Sequence, residues 1–88
     1  MNTHELKQAL RNGPYAWPGG YPVYFIAGDG EALSFGAVRA NLRLCLGAMR
    51  RPGTGEDWRI VAVDVNYEDP DLYCAHTGQP IEAAYPSS

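Results

Sequence analysis

The spacing of apolar residues changes along this chain, and each change marks an element. Leu6 and Leu10 lie four apart with Ala9 between them. With Thr3 as N-cap and Glu5 in the first turn, they predict a short helix from about His4 to Arg11. Asn12-Gly13-Pro14 ends it. Pro18, Gly19 and Gly20 make the next stretch a turn, with Tyr15 and Trp17 as large anchors. Tyr21 to Ala27 is rich in strand formers, and Pro22 at its start predicts an edge position. Gly28-Asp29-Gly30 is a tight turn that returns through a short strand at Glu31–Leu33.

From Ser34 the period becomes helical. Phe35, Val38, Leu42, Cys45, Leu46 and Met49 fall within a stripe of roughly 100°. This predicts one main helix, about Phe35 to Arg50, capped by Ser34 and closed by Pro52-Gly53-Thr54-Gly55. Arg39, Arg43 and Arg50 lie beside the apolar stripe, with Ala37, Leu44 and Ala48 on the other side. Trp58 to Tyr67 then alternates: Val61, Val63, Val65 and Tyr67 share one face, and Trp58, Ile60 and Ala62 the other, which turns polar at Asp64 and Asn66. Glu68-Asp69-Pro70-Asp71 breaks this strand, and a Cys74-x-His76-x-Gly78 stretch follows.

The order α-β-β-α-β specifies a small α+β domain, a short antiparallel sheet packed on one main helix. The 88 residues are enough for one domain: an N-terminal helix over 1–13, an α+β core over 14–82 and a tail over 83–88. No signal peptide opens the chain, and the longest apolar run, Ile60 to Val63, is far short of a membrane span. A cytoplasmic protein without a membrane partner, with reduced cysteines, is expected.

The formal charge of −3 hides a division. Residues 1–55 carry six basic against three acidic residues, a net of +3, and residues 56–88 carry one against seven, a net of −6. Arg39, Arg43 and Arg50 either meet an external acidic group or pack on the acidic third. The chemistry otherwise available is sparse. Structural zinc needs four ligands, and Cys45, Cys74, His4 and His76 are spread over different elements. The Asp64 to Glu68 alternation fails the calcium-loop pattern, with Asp69 and Ala75 at its sixth and twelfth positions. Cys74 and His76 are spaced too closely on one strand side to align as nucleophile and base. No metal, cofactor or catalytic set is expected.

Four segments carry a resemblance: Trp17 to Phe25, Asp29 to Asn41, Val63 to Leu72 and Cys74 to Tyr85. Together they resemble a family of short uncharacterised proteins of bacteriophages and prophages, over most of residues 14–85. Some members of that family place Cys-x-x-Cys pairs where this chain has Ser34 and Ala37, and Cys74 and Thr77. The resemblance therefore implies a degenerate zinc-ribbon or treble-clef fold that has lost its metal, and a bacterial host cell. By lineage it implies an accessory role such as host takeover or anti-defence. The expected function is a non-enzymatic protein-binding module using Tyr15, Trp17, Arg39, Arg43 and Arg50, with Tyr85 a further exposed aromatic. Nucleic-acid binding through the arginine face is the alternative, and a small enzyme built on His76 the third.

Overall fold

The computed structural model describes residues 1–16, 19–53 and 55–85. Helix α1 runs Thr3–Asn12, one residue earlier than the Thr3 cap implies. Asn2 is the N-cap instead, because it places Glu5 at the third helical position. The Asn2 side chain accepts from the Glu5 N–H (2.7 Å) and the Glu5 carboxylate from the Asn2 N–H (2.9 Å), a reciprocal pair that Thr3 could not make with Leu6.

Strand β1 is Tyr15–Ala16, β2 Tyr21–Ala27 and β3 Ala32–Ser34. The predicted main helix is two helices, α2 Phe35–Ala40 and α3 Leu42–Arg50. The break is at Asn41. Its backbone N–H and its side-chain Nδ2 both donate to the Ala37 carbonyl (3.1 and 2.9 Å), and its φ and ψ of −117° and 33° leave the helical region. A short carboxamide competing for an i−4 carbonyl is a local interruption that apolar periodicity does not register. The change of direction also buries Ala37 and Ala48, which a continuous helix would turn outward, and leaves Leu44 exposed. Ser34 caps α2 as expected, accepting from the Ala37 N–H at 3.1 Å.

Strand β4, Ile60–Val65, completes an antiparallel sheet in which β2 pairs with every other strand. The edge position expected from Pro22 is therefore incorrect. Pro22 is tolerated because it precedes the β3 and β4 ladders, which begin at Tyr24 and Val23, so no ladder bond needs its missing N–H. A bulge between Ile26 and Ala27 makes Ala62 pair with Ile26 and Ile60 with Ala27. Ile60 and Ala62, read as sharing a face, thus face opposite sides. The slip carries Ile60 into the core beside Phe25, Ala27 and Leu33, under Val38, Cys45 and Leu6. The result is a small α+β fold with a short antiparallel sheet. Among the described residues no helix is long and apolar enough to cross a membrane.

Beyond β4 the chain is irregular but ordered. Cys74 N–H donates to the Gln79 carbonyl (2.9 Å), Gly78 N–H to the Cys74 carbonyl (2.8 Å), and Ile81 N–H to the Leu72 carbonyl (2.8 Å), closing a tight turn that needs Gly78 at φ +72°. The residues expected as a tail from Ala83 return onto the sheet as far as Tyr85: Ala84 N–H donates to the Asn66 carbonyl and Tyr85 N–H to the Tyr67 carbonyl. Asn66 holds this return. It is 3% exposed, its Nδ2 donates to the carbonyls of Asp69, Ile81 and Glu82 (3.1–3.3 Å), and its Oδ1 accepts from the Asp69 N–H (3.1 Å). Asn66→Ala should destabilise the fold by about 2–4 kcal/mol in urea denaturation, since it strands buried carbonyls without a donor. A loss below about 0.5 kcal/mol would mean that packing alone holds the return.

Candidate functional site

The arginine face is divided by the break at Asn41. Arg43 and Arg50, seven apart on α3, share one exposed face, whereas Arg39 on α2 borders a groove with Lys7, Arg11, Leu10 and Leu42. Arg43 instead lines a shallow groove with Leu44, Gly47, Arg51 and Trp58. Among the described residues Arg39, Arg43 and Arg50 make no ion pair; the acidic third does not cover them. Arg59, the one basic residue in that third, is held locally by Glu56 at 2.6 Å. Trp17 lies outside the described residues. Tyr15 is exposed, and its hydroxyl hydrogen-bonds the Glu82 carboxylate, which with that negative charge and slight burial holds the phenol above its ordinary range.

A larger surface is built by strand alternation. Residues that pair across antiparallel strands share a face, and so do residues two apart. Phe25 pairs with Val63, and Val23 with Val65, so all four belong to the face that also bears the buried Leu33 and Ile60. Continuing by two places Tyr21 on this face from β2, and Tyr67 just beyond β4. Their rings meet, with centroids 5.2 Å apart. Tyr85, brought in by the return, completes the group: its ring lies 6.0 Å from Tyr21 and its hydroxyl donates to the Tyr21 hydroxyl at 3.2 Å.

The helices cover only the Phe25 end of this face. Past the C-terminal end of α1 the sheet is open: Val63 is 40% exposed, Tyr67 53% and Tyr85 59%. A groove of about 490 Å³ lies there, lined by Ala9, Asn12 and Gly13 of the α1 end and by Tyr15, Ala16, Val23 and Val63. Tyr15 and Ala16 line this groove at its β1 edge, Ala16 being the one whose register partner is Tyr21, while the arginines do not line it. Sequence reading missed Tyr21 and Tyr67 as surface residues. The available signal was that both extend the apolar alternations Tyr21-Val23-Phe25 and Val63-Val65-Tyr67 beyond the length the helices can cover.

The second feature is Cys74, 1% exposed. Burial is the largest influence on its thiol and acts to raise its pKa. Backbone amides of Ser34 and Thr77 and the hydroxyls of both residues outweigh it and bring the thiol to about 7. Each hydroxyl is itself oriented, Ser34 by accepting from Ala37 N–H and Thr77 by accepting from Gln79 N–H (3.2 Å). The two oriented hydroxyls thus stand on elements either side of Cys74, Ser34 at the start of α2 and Thr77 in the following turn. Cys45, by contrast, is raised to about 11 by burial. His76 packs edge-on against Trp58, with ring centroids 4.8 Å apart. Among the described residues no three His, Cys, Asp or Glu side chains form a group that could hold a metal.

No protein-family model, curated protein or solved structure matches the chain. The geometry of the two sites therefore stands on its own.

The folded Cys74 thiol ionises near 7, below its unfolded value of about 8.5. Its contribution to stability is complete above the unfolded pKa and is lost as pH falls through 7. Relative to Cys74→Ala, the native chain should gain on the order of 1–2 kcal/mol between pH 6 and 9. Urea midpoints compared across that range check it, and parallel profiles for the two proteins would refute the ionised cradle.

Proposed function

We propose that this chain is a protein-binding module rather than an enzyme, and that the uncovered sheet face is its contact surface. The observation that carries the reading is the Tyr21–Tyr67–Tyr85 cluster continuous with the groove at Val23 and Val63. Small domains seldom leave an apolar sheet face and several aromatic rings open together without a partner. Tyrosines supply contact area at low entropic cost, and these are already fixed against one another, so little ordering remains to be spent on binding. The likeness to short phage and prophage proteins, including the degenerate zinc-ribbon architecture, gives this reading a biological setting as an accessory protein acting on a bacterial host component.

Affinity capture from a bacterial lysate, quantified by mass spectrometry, tests the surface. Tyr67→Ala with Tyr85→Ala should lose at least about tenfold of the specific partner signal, in line with the 1.4 kcal/mol or more expected for aromatic anchors. Arg43→Ala with Arg50→Ala should retain it. The reverse pattern would move the contact to α3.

A second reading, nucleic-acid binding, is favoured by one observation: Arg43 and Arg50 are exposed on one helix face, and among the described residues neither makes an ion pair. Two phosphate contacts give weak, salt-sensitive association. Fluorescence anisotropy with labelled DNA and RNA at low ionic strength should detect it, and a flat titration there removes this reading.

A further inference from the structure

We infer that the groove between α1 and the α2–α3 elbow is a second docking surface, separate from the sheet face, and that it takes an acidic, aliphatic segment of a partner protein. The groove measures about 520 Å³ and is lined by Lys7, Leu10, Arg11 and Gly13 on the α1 side and by Arg39 and Leu42 on the other. Its residues divide by chemistry. Leu10 and Leu42 are half-buried and packed on the core, and they form an apolar floor. Lys7, Arg11 and Arg39 are exposed around it. Charge complementarity is the first argument. No carboxylate lines the groove, and among the described residues none of these three cations makes an ion pair. Glu5, the one acidic residue of α1, is engaged by the Asn2 N–H at the opposite end of the helix. Arg11 has a local role, since it stands in the last turn of α1 and offsets the partial negative charge there. Lys7 and Arg39 have no such role. Three like charges around one concave surface repel one another, and incoming carboxylates relieve that repulsion.

The apolar floor supplies the second argument, because it selects among anions. Covering Leu10 and Leu42 takes aliphatic side chains, which neither a sugar–phosphate backbone nor a free phosphate brings. The stems of Lys7, Arg11 and Arg39 widen the same apolar surface while their charged heads stay in water. Spacing agrees with a peptide. Lys7 and Arg11 lie four residues apart on α1, about 6 Å along its axis. Alternate residues of an extended chain lie about 7 Å apart on one side. Two carboxylates on one side of such a segment therefore meet Lys7 and Arg11, while the side chains between them turn towards the leucines.

The experiment is an amide NMR titration of the full chain with an acetylated, amidated hexapeptide alternating glutamate and leucine. Its lysine–leucine and glutamate–serine counterparts are the controls. The expected result is saturable shifts centred on Lys7, Leu10, Arg11, Arg39 and Leu42 with the glutamate–leucine peptide, none with the lysine peptide, and at least about fivefold weaker binding of the glutamate–serine peptide. Affinity should fall about fivefold or more from 50 to 300 mM salt, and by a similar factor in Lys7→Gln with Arg39→Gln, whose exposed sites leave the fold intact. Equal binding of the lysine peptide, shifts centred elsewhere, or no shifts would overturn the inference. Equal binding of the glutamate–serine peptide, or tighter binding of a DNA oligonucleotide at the same amides, would also overturn it, by reducing the groove to an anion site. So would concentration-dependent shifts of these amides without peptide, which would make the occupant the acidic third of a second copy. Lysate capture with Tyr67→Ala and Tyr85→Ala reads the sheet face and this titration reads the α1 groove, so either reading can fail without the other.

Discussion

Asn66 donates from one buried carboxamide to three backbone carbonyls, those of Asp69, Ile81 and Glu82, and accepts from one backbone N–H. Each such bond adds only about 0.5–1.5 kcal/mol net, but the alternative is unpaired polar backbone against an apolar sheet, which costs more. The arrangement solves an accounting problem. Residues 66–85 form almost no regular ladder, so their carbonyls cannot satisfy one another in the usual way. A single primary amide, with two donors and an acceptor on a short stem, closes the return where a strand would otherwise be needed. The aromatic surface depends on it, because Tyr85 reaches Tyr21 only when the return is closed.

The second constraint is the mismatch between sheet and helices. In a chain this short, one ten-residue helix and a broken pair of six and nine residues cannot cover a strand of seven residues and its extended neighbour. The core is completed at the Phe25 and Ile60 end, where the bulge supplies an additional inward side chain. The opposite end of the same face is left to tyrosines, whose hydroxyls tolerate water while their rings remain packed. Incomplete coverage thus leaves an open, preformed aromatic face without any loop having to move.

Much of the scaffold was legible in the sequence. Strand β2 runs from Tyr21 to Ala27 as its composition indicates, and α1 and β3 differ from expectation by about one residue at each end. Features set by a partner rather than by a segment's own pattern were not legible. The bulge is a two-against-one pairing and has no signature within residues 60–65 alone. The kink at Asn41 turns on one side-chain bond inside an otherwise continuous apolar stripe. Asn66 reads as a solvated strand end because nothing local announces the carbonyls that arrive from fifteen and sixteen residues later. The site was half legible for the same reason: Tyr15 and the exposed arginines could be singled out by type, but the contact joining Tyr21 to Tyr85 spans 64 residues and exists only through register.

The returning segment would also couple any recognition at this face to local opening. Tyr85 is both the last ring of the surface and part of the strap that Asn66 pins, so any molecule that grips this ring binds only the closed form. By mass action such a ligand withdraws population from states in which residues 81–85 have lifted away, and it does so in proportion to the logarithm of its concentration. Occupancy at the surface would therefore be converted into slower amide exchange and slower proteolysis around residues 81–85, and a partner bound there would act as a stabiliser of the domain.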